Sequence, residues 1–180
     1  MSKRNHFNGT GAGAKMLCGL SIALACAPAW SDSNNVKYTM TVLRDTAYGS
    51  KIMEQKYEQA IDKIKQRPGR YDAFSKGTNL CVAYTKSGEL DLAEEACEAA
   101  VAAARTAKLK QSRSAFSDPV NETRVRNLAV ALSNRGVLRA VNGQSEEARD
   151  DFNAALALDT RLSAPKVNLA RLGNGETDPA

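Results

Sequence analysis

Histidine is almost missing from this sequence: the single one is His6. The single tryptophan is Trp30, and aromatic residues make up only 6% of the chain. Cysteine occurs four times, at Cys18, Cys26, Cys81 and Cys97. The longest apolar run is shorter than the roughly 20 residues that a membrane-spanning helix needs. Each shortage excludes something. Without imidazole, the usual nucleophile–base arrangements lack their base. Two cysteines in the body of the chain, with no histidine beside them, cannot complete a zinc shell. The glycine-rich stretch Gly9 to Gly13 lies near the N-terminus, away from any strand–helix unit that would cradle a phosphate. The acidic pairs Glu94–Glu95, Glu146–Glu147 and Asp150–Asp151 are adjacent residues, which point in different directions on a helix. They read as solvated helix faces and not as acid–base pairs. Neither an enzyme nor a cofactor is expected.

The N-terminus has the three-part layout of a secretory signal peptide. Lys3, Arg4 and Lys15 supply positive charge, and Met16 to Ala27 is mostly apolar. Ala27-Pro28-Ala29 then places small residues at a cleavage spacing. Residues 1–29 are therefore expected to leave, with cleavage after Ala29 and a periplasmic or secreted product. Two alternatives are an uncleaved anchor and lipidation at Cys26, which follows Ala23-Leu24-Ala25. Only then would the membrane be a partner. The whole chain carries 25 basic and 20 acidic residues, net +5. Removing the three basic residues of the signal leaves 22 against 20, net +2. The basicity is largely a targeting feature and gives no clustered basic face for nucleic acid. Cys81 and Cys97 remain after cleavage, and in an exported chain such a pair reads first as a disulfide. The other reading is two small buried core residues.

Residues 30–49 read as an extended arm. Val36, Tyr38, Met40 and Val42 alternate with Lys37, Thr39 and Thr41, the period of extended backbone. No partner strand exists in the sequence, so the arm is expected to pack along the first helices. From Ser50 the period becomes helical, with Ile52, Met53, Tyr57, Ala60, Ile61 and Ile64 running through Lys65. Arg67-Pro68-Gly69 breaks the pattern. Further helices are expected over 72–86, 90–108, Pro119 to Val141, 146–158 and 163–172. Ser87-Gly88 and Asn142-Gly143 mark helix ends, and Asp118-Pro119 a helix start. Gln111 to Asp118 reads as a polar link, and residues 173–180 as a frayed tail.

Two helical pairs superpose at a constant offset. Leu80-Cys81, Tyr84, Gly88, Ala93, Cys97 and Ala100 in one correspond to Arg135-Gly136, Arg139, Gly143, Ala148, Phe152 and Ala155 in the other. The triplets Asn79-Leu80-Cys81, Asn134-Arg135-Gly136 and Asn168-Leu169-Ala170 also align. This pattern resembles the tetratricopeptide repeat, a helix–turn–helix unit of about 34 residues. The Asn134 and Asn168 triplets stand one such unit apart, and Ala60 precedes Ala93 by nearly the same interval. The resemblance spans residues 50–172 and implies an all-α solenoid of antiparallel helix pairs. The offset between the two pairs, from Leu80 to Arg135, is longer than one unit, so an insertion is expected at about 105–125. Arg139 and Cys97 stand where the family has aromatics, and the family's terminal proline is missing. The bland alternative is an irregular bundle whose alanines align by composition.

The resemblance implies that Cys81, Gly136 and Ala170 are small because the paired helix comes closest there, with Ala93 and Ala148 as facing neighbours. It also implies a concave groove lined by the first helix of each pair. Groove residues would be Thr78, Asn79, Val82, Thr85 and Lys86 in one unit, and Ser133, Asn134, Val137 and Ala140 in the other. Asn79 and Asn134 suit hydrogen bonding to a peptide backbone, or alternatively bridge helices internally. A disulfide between Cys81 and Cys97 would staple one hairpin. If Cys81 faces Ala93, however, Cys97 lies one turn, about 5–6 Å, along the axis. The expected role is a non-enzymatic protein-interaction module or scaffold of the periplasm, with a protein or peptide partner and no nucleic-acid or small-molecule ligand. The alternative is an envelope-anchored structural accessory.

Overall fold

Apolar spacing along the chain produces seven helices among the described residues, and no strand among them. The computed structural model describes residues 38–67, 69–109 and 119–173. The expected signal segment, Cys26, the polar link and the C-terminal tail lie outside these residues. The helices are α1 (Gly49–Met53), α2 (Tyr57–Gln66), α3 (Ala73–Ser87), α4 (Leu90–Leu109), α5 (Pro119–Val141), α6 (Ser145–Leu158) and α7 (Ser163–Gly173). None of the described helices is long and apolar enough to cross a membrane.

The single helix expected from Ser50 to Lys65 is broken in two. Gln55 adopts a left-handed φ of 58°. The Lys56 N–H reaches back to the Lys51 carbonyl at 2.9 Å, closing α1 before α2 begins. Glu54-Gln55-Lys56 contains no glycine or proline, so nothing local announces the break. Ile52, Ala60, Ile61 and Ile64 are still buried, but Met53 turns out to solvent at 53% exposure.

α3 and α4 form one antiparallel hairpin and α5 and α6 another, with α4 packed on α5 and α6 on α7. The two hairpins turn identically. Gly88 and Gly143 take left-handed φ values of 82° and 77°. The following N–H groups, of Glu89 and Gln144, donate to the Tyr84 and Arg139 carbonyls at 3.0 and 2.8 Å. An L side chain is strained at such φ, which explains glycine at both ends.

A close approach falls at equivalent positions in the two hairpins and is filled differently. In the first, Cys81 and Cys97 are disulfide-bonded with Cα atoms 4.7 Å apart. The one-turn gap anticipated from an Ala93 pairing is closed, because Cys81 faces Cys97 directly. In the second, a Cβ on Gly136 would come within 2.7 Å of the Phe152 ring and 3.2 Å of the Ala148 carbonyl oxygen. Glycine at 136 therefore makes room for the ring. Ala93 and Ala148 are fully buried beside these contacts. Ala170, expected to face a paired helix, is exposed; no described helix follows α7 to cover it.

The core runs along the hairpins in three clusters, and alanine supplies much of it. Small side chains let helices approach closely but remove little apolar area per residue. The expected insertion is partly helical: α4 runs on to residue 109 and α5 starts at 119, both beyond the ends of α6 and α3 at the matching register.

Two stability effects follow. The bond at Cys81–Cys97 closes a loop with a separation of 16 residues. Replacing both cysteines by alanine is expected to lower the unfolding free energy by about 3 kcal/mol in a urea titration, with reduction of the native chain giving a similar loss. Asp72 caps α3 by accepting from the Ser75 N–H at 2.9 Å. Burial pushes its carboxyl up, but hydrogen bonds from Ser75 and the first backbone N–H groups outweigh this and hold it below the ordinary 3.8. The cap is thus fully formed above that value and is lost as pH falls through the lowered one. Asp72→Ala should cost about 1 kcal/mol at neutral pH. The difference from native should shrink in acid, whereas Asp72→Asn should keep the cap and lose that pH dependence.

Candidate binding groove

The first helices of the hairpins, α3 and α5, and the following α7 lie side by side and carry Asn79, Asn134 and Asn168 at corresponding positions. Asparagine is normally exposed, because its amide has two donors and an acceptor to satisfy. Here the three residues are 0%, 1% and 0% exposed. Burial at that depth requires partners, and the arm provides them.

The arm runs in extended conformation across the three helices, starting at α7 and ending at α3. Asn168 Oδ1 accepts from the Thr39 N–H at 2.9 Å, and its Nδ2 donates to the Thr39 carbonyl at 2.8 Å. Asn134 does the same with Thr41, at 2.8 Å in both directions. Asn79 Oδ1 accepts from the Leu43 N–H at 2.9 Å. Its Nδ2 faces three carbonyls, Leu43 at 3.0 Å, Thr46 at 2.8 Å and Ala47 at 3.2 Å. Each amide pairs donor to acceptor; a flipped amide would set like against like. Successive contacts fall on every second arm residue, since alternate peptide groups of an extended chain face the same way.

The intervening side chains point into the helical body. Tyr38, 3% exposed, packs with Val137, Ala148 and Phe152. Met40 and Val42 pack against the cluster around Val82 and Cys81. Lys86 Nζ donates to the Tyr38 carbonyl at 3.4 Å, and the Arg171 guanidinium to the Thr39 hydroxyl at 3.3 Å. The turn from arm into α1 is tight. Ala47 and Tyr48 adopt left-handed φ values of 43° and 56°, and a Cβ on Gly49 would collide with the Leu43 carbonyl oxygen. Only glycine fits there.

Of the groove residues named from sequence, Asn79, Asn134, Val82, Val137 and Lys86 lie against the arm or the clusters it joins. Ala140 is half-buried beside the Tyr38 cluster. Thr85 does not face the groove as a donor: its hydroxyl donates to its own helix, at the Cys81 carbonyl, 2.7 Å away. Thr78 and Ser133 are buried with hydroxyls that meet no partner among the described residues. Asn168 is not among the groove residues named from sequence, although its triplet aligns with the other two.

A second polar feature lies between the hairpins. Asp151, expected with Asp150 on a solvated face, is 4% exposed. Arg135 grips it with two bonds, Nε to Oδ2 at 2.8 Å and Nη2 to Oδ1 at 2.7 Å, and Arg139 adds a contact at 3.0 Å. Arg135 Nη1 also reaches Glu98 of α4 at 2.8 Å. Hydrogen bonding to Asp151 raises the Arg135 guanidinium further above its ordinary range. This network joins α4, α5 and α6, and explains why Arg139 stands where an aromatic was expected: the position has become ionic.

No family model matches the chain, and no curated protein or solved structure is significantly similar to it.

Removing one rung should loosen the arm locally. Asn134→Ala is expected to cost about 1–3 kcal/mol, because the partners of a buried amide lose their bonds. Hydrogen exchange by NMR should show the Thr41 amide losing protection while amides in α4 keep theirs. Unchanged protection at Thr41 would contradict the assigned contact.

Proposed function

We propose that the chain is a non-enzymatic protein-interaction module of tetratricopeptide-like helix pairs, working in the periplasm, whose groove binds an extended segment of a partner protein. One observation carries the reading: buried asparagine amides recur once per helix pair and address the main chain of an extended segment at every second residue. Side-chain amides that bond both the N–H and the C=O of one residue imitate a neighbouring strand. They hold extended backbone irrespective of sequence.

Support for the repeat comes from matching turns at Gly88 and Gly143 and close approaches at the equivalent pairs Cys81–Cys97 and Gly136–Phe152. Export rests on the signal-like N-terminus, and a disulfide suits an oxidising compartment. A binding role suits the chemistry of the groove floor, where the amides are committed to main-chain hydrogen bonds.

The test is a capture experiment from envelope extract with the mature chain as bait, against a bait carrying Asn79→Ala, Asn134→Ala and Asn168→Ala. Circular dichroism checks that both are helical. Specific partners should fall at least about tenfold on the variant, the equivalent of losing one net hydrogen bond. Equal capture by both baits would remove the groove from the function.

A further inference from the structure

The groove is already occupied, and its occupant describes the ligand. We infer that the arm segment 38–43 holds the partner's seat as an internal competitor, and that the partner supplies an extended segment with large apolar side chains at alternate positions and unsubstituted amides between them. This rests on the groove reading above and adds the chemistry of the ligand and the way its access is controlled.

Three observations point this way. First, the hold of the two outer amides is generic, with an exposed bond from Arg171 to the Thr39 hydroxyl beside it. Asn168 and Asn134 touch only the main chain of Thr39 and Thr41, so any residue but proline, which has no N–H, can stand there. Second, selectivity falls on the other face. Tyr38, Met40 and Val42 enter the clusters around Phe152 and Val82, which sets a requirement for bulk at every second position. Third, the arm is tethered at its inner end. Asn79 spans the whole Leu43–Ala47 turn, bonding the Leu43 N–H and facing the Leu43, Thr46 and Ala47 carbonyls. Asn134 and Asn168 each bond one residue of the outer arm, where Lys86 and Arg171 add bonds to Tyr38 and Thr39. In the open state residues 38–41 lift while the turn stays in place, and a partner segment takes the same rungs. A tethered arm lowers the apparent affinity of any competitor by the fraction of molecules whose groove is open.

The experiment uses the full mature chain and a fluorescein-labelled hexapeptide with the sequence of residues 38–43. The arm is loosened by Thr39→Pro with Thr41→Pro, which removes the two N–H groups that Asn168 and Asn134 accept. A second variant, Tyr38→Ser with Met40→Ser, weakens the apolar face instead and serves if the first misfolds. Fluorescence anisotropy should give at least about tenfold tighter peptide binding by the loosened chain than by the native one. N-methylation of the peptide at the positions of Thr39 and Thr41 should abolish binding, whereas N-methylation at those of Met40 and Val42 should be tolerated. Equal affinity for native and loosened chains would overturn the competition, and indifference to the N-methyl positions would overturn the main-chain reading. A native dimer by light scattering that becomes monomeric on loosening would also overturn the proposal, because the occupant would then be a second copy's arm. If a correctly helical loosened chain binds no peptide, or binds it whatever the N-methyl positions, the groove reading itself fails; the other adverse results leave it standing.

Discussion

One interaction sets the geometry of this molecule: a buried asparagine amide bonding both the N–H and the C=O of a single arm residue. It joins two periodicities that have no reason to agree. Helix pairs recur at intervals set by helix packing, whereas peptide groups of an extended chain face one way every second residue. Contacts at Thr39, Thr41 and Leu43, one per helix, show that the two spacings coincide across α7, α5 and α3. Once they coincide, the amides can be buried at almost no exposure, because each has a main-chain partner for both its oxygen and its nitrogen. Were the arm absent, three amides would face either water or nothing. The arm is thus part of the folded structure.

The body around this ladder is held by polar and covalent ties as much as by apolar burial. The cores are rich in alanine, and alanine gains little from leaving water. The first hairpin compensates with the Cys81–Cys97 bond. The second has no such bond and seats Phe152 over Gly136, adding the two-bond grip of Arg135 on Asp151. A buried ion pair is not in itself a strong stabiliser, since desolvation offsets attraction. Its value here is positional: Glu98, Arg135 and Asp151 tie α4, α5 and α6 together.

Much of this was legible in the sequence where a local cause produces it. Gly88 and Gly143 mark turns because left-handed backbone needs glycine, whereas Asp72, read as the first residue of its helix, is the N-cap of α3. The alternation through Tyr38, Met40 and Val42 announced extended backbone, while the groove residues came only from the resemblance to the tetratricopeptide repeat. What escaped depends on distant atoms. The break at Gln55 has no glycine or proline to announce it. Asp151 reads as solvated until Arg135 and Arg139 of another helix are set beside it. Thr85 looked available, but its hydroxyl is taken by the turn beneath it. Asn168 is the one omission the sequence did allow to be corrected, since its triplet aligns with that of Asn134.

The extra residues between the hairpins test whether the ladder depends on sequence distance or on packing. Asn134 and Asn168 stand one repeat length apart in the chain, whereas Asn79 and Asn134 are separated by far more of it. Their contacts on the arm are nevertheless evenly spaced, at Leu43, Thr41 and Thr39. The surplus is taken up where α4 continues to 109 and α5 begins at 119, at the end of the helices away from the Gly88 and Gly143 turns. Lengthening two antiparallel neighbours at one end leaves their crossing point unchanged, because the contacts that set it lie further along both helices. A groove whose spacing is set by such crossings tolerates growth between its units.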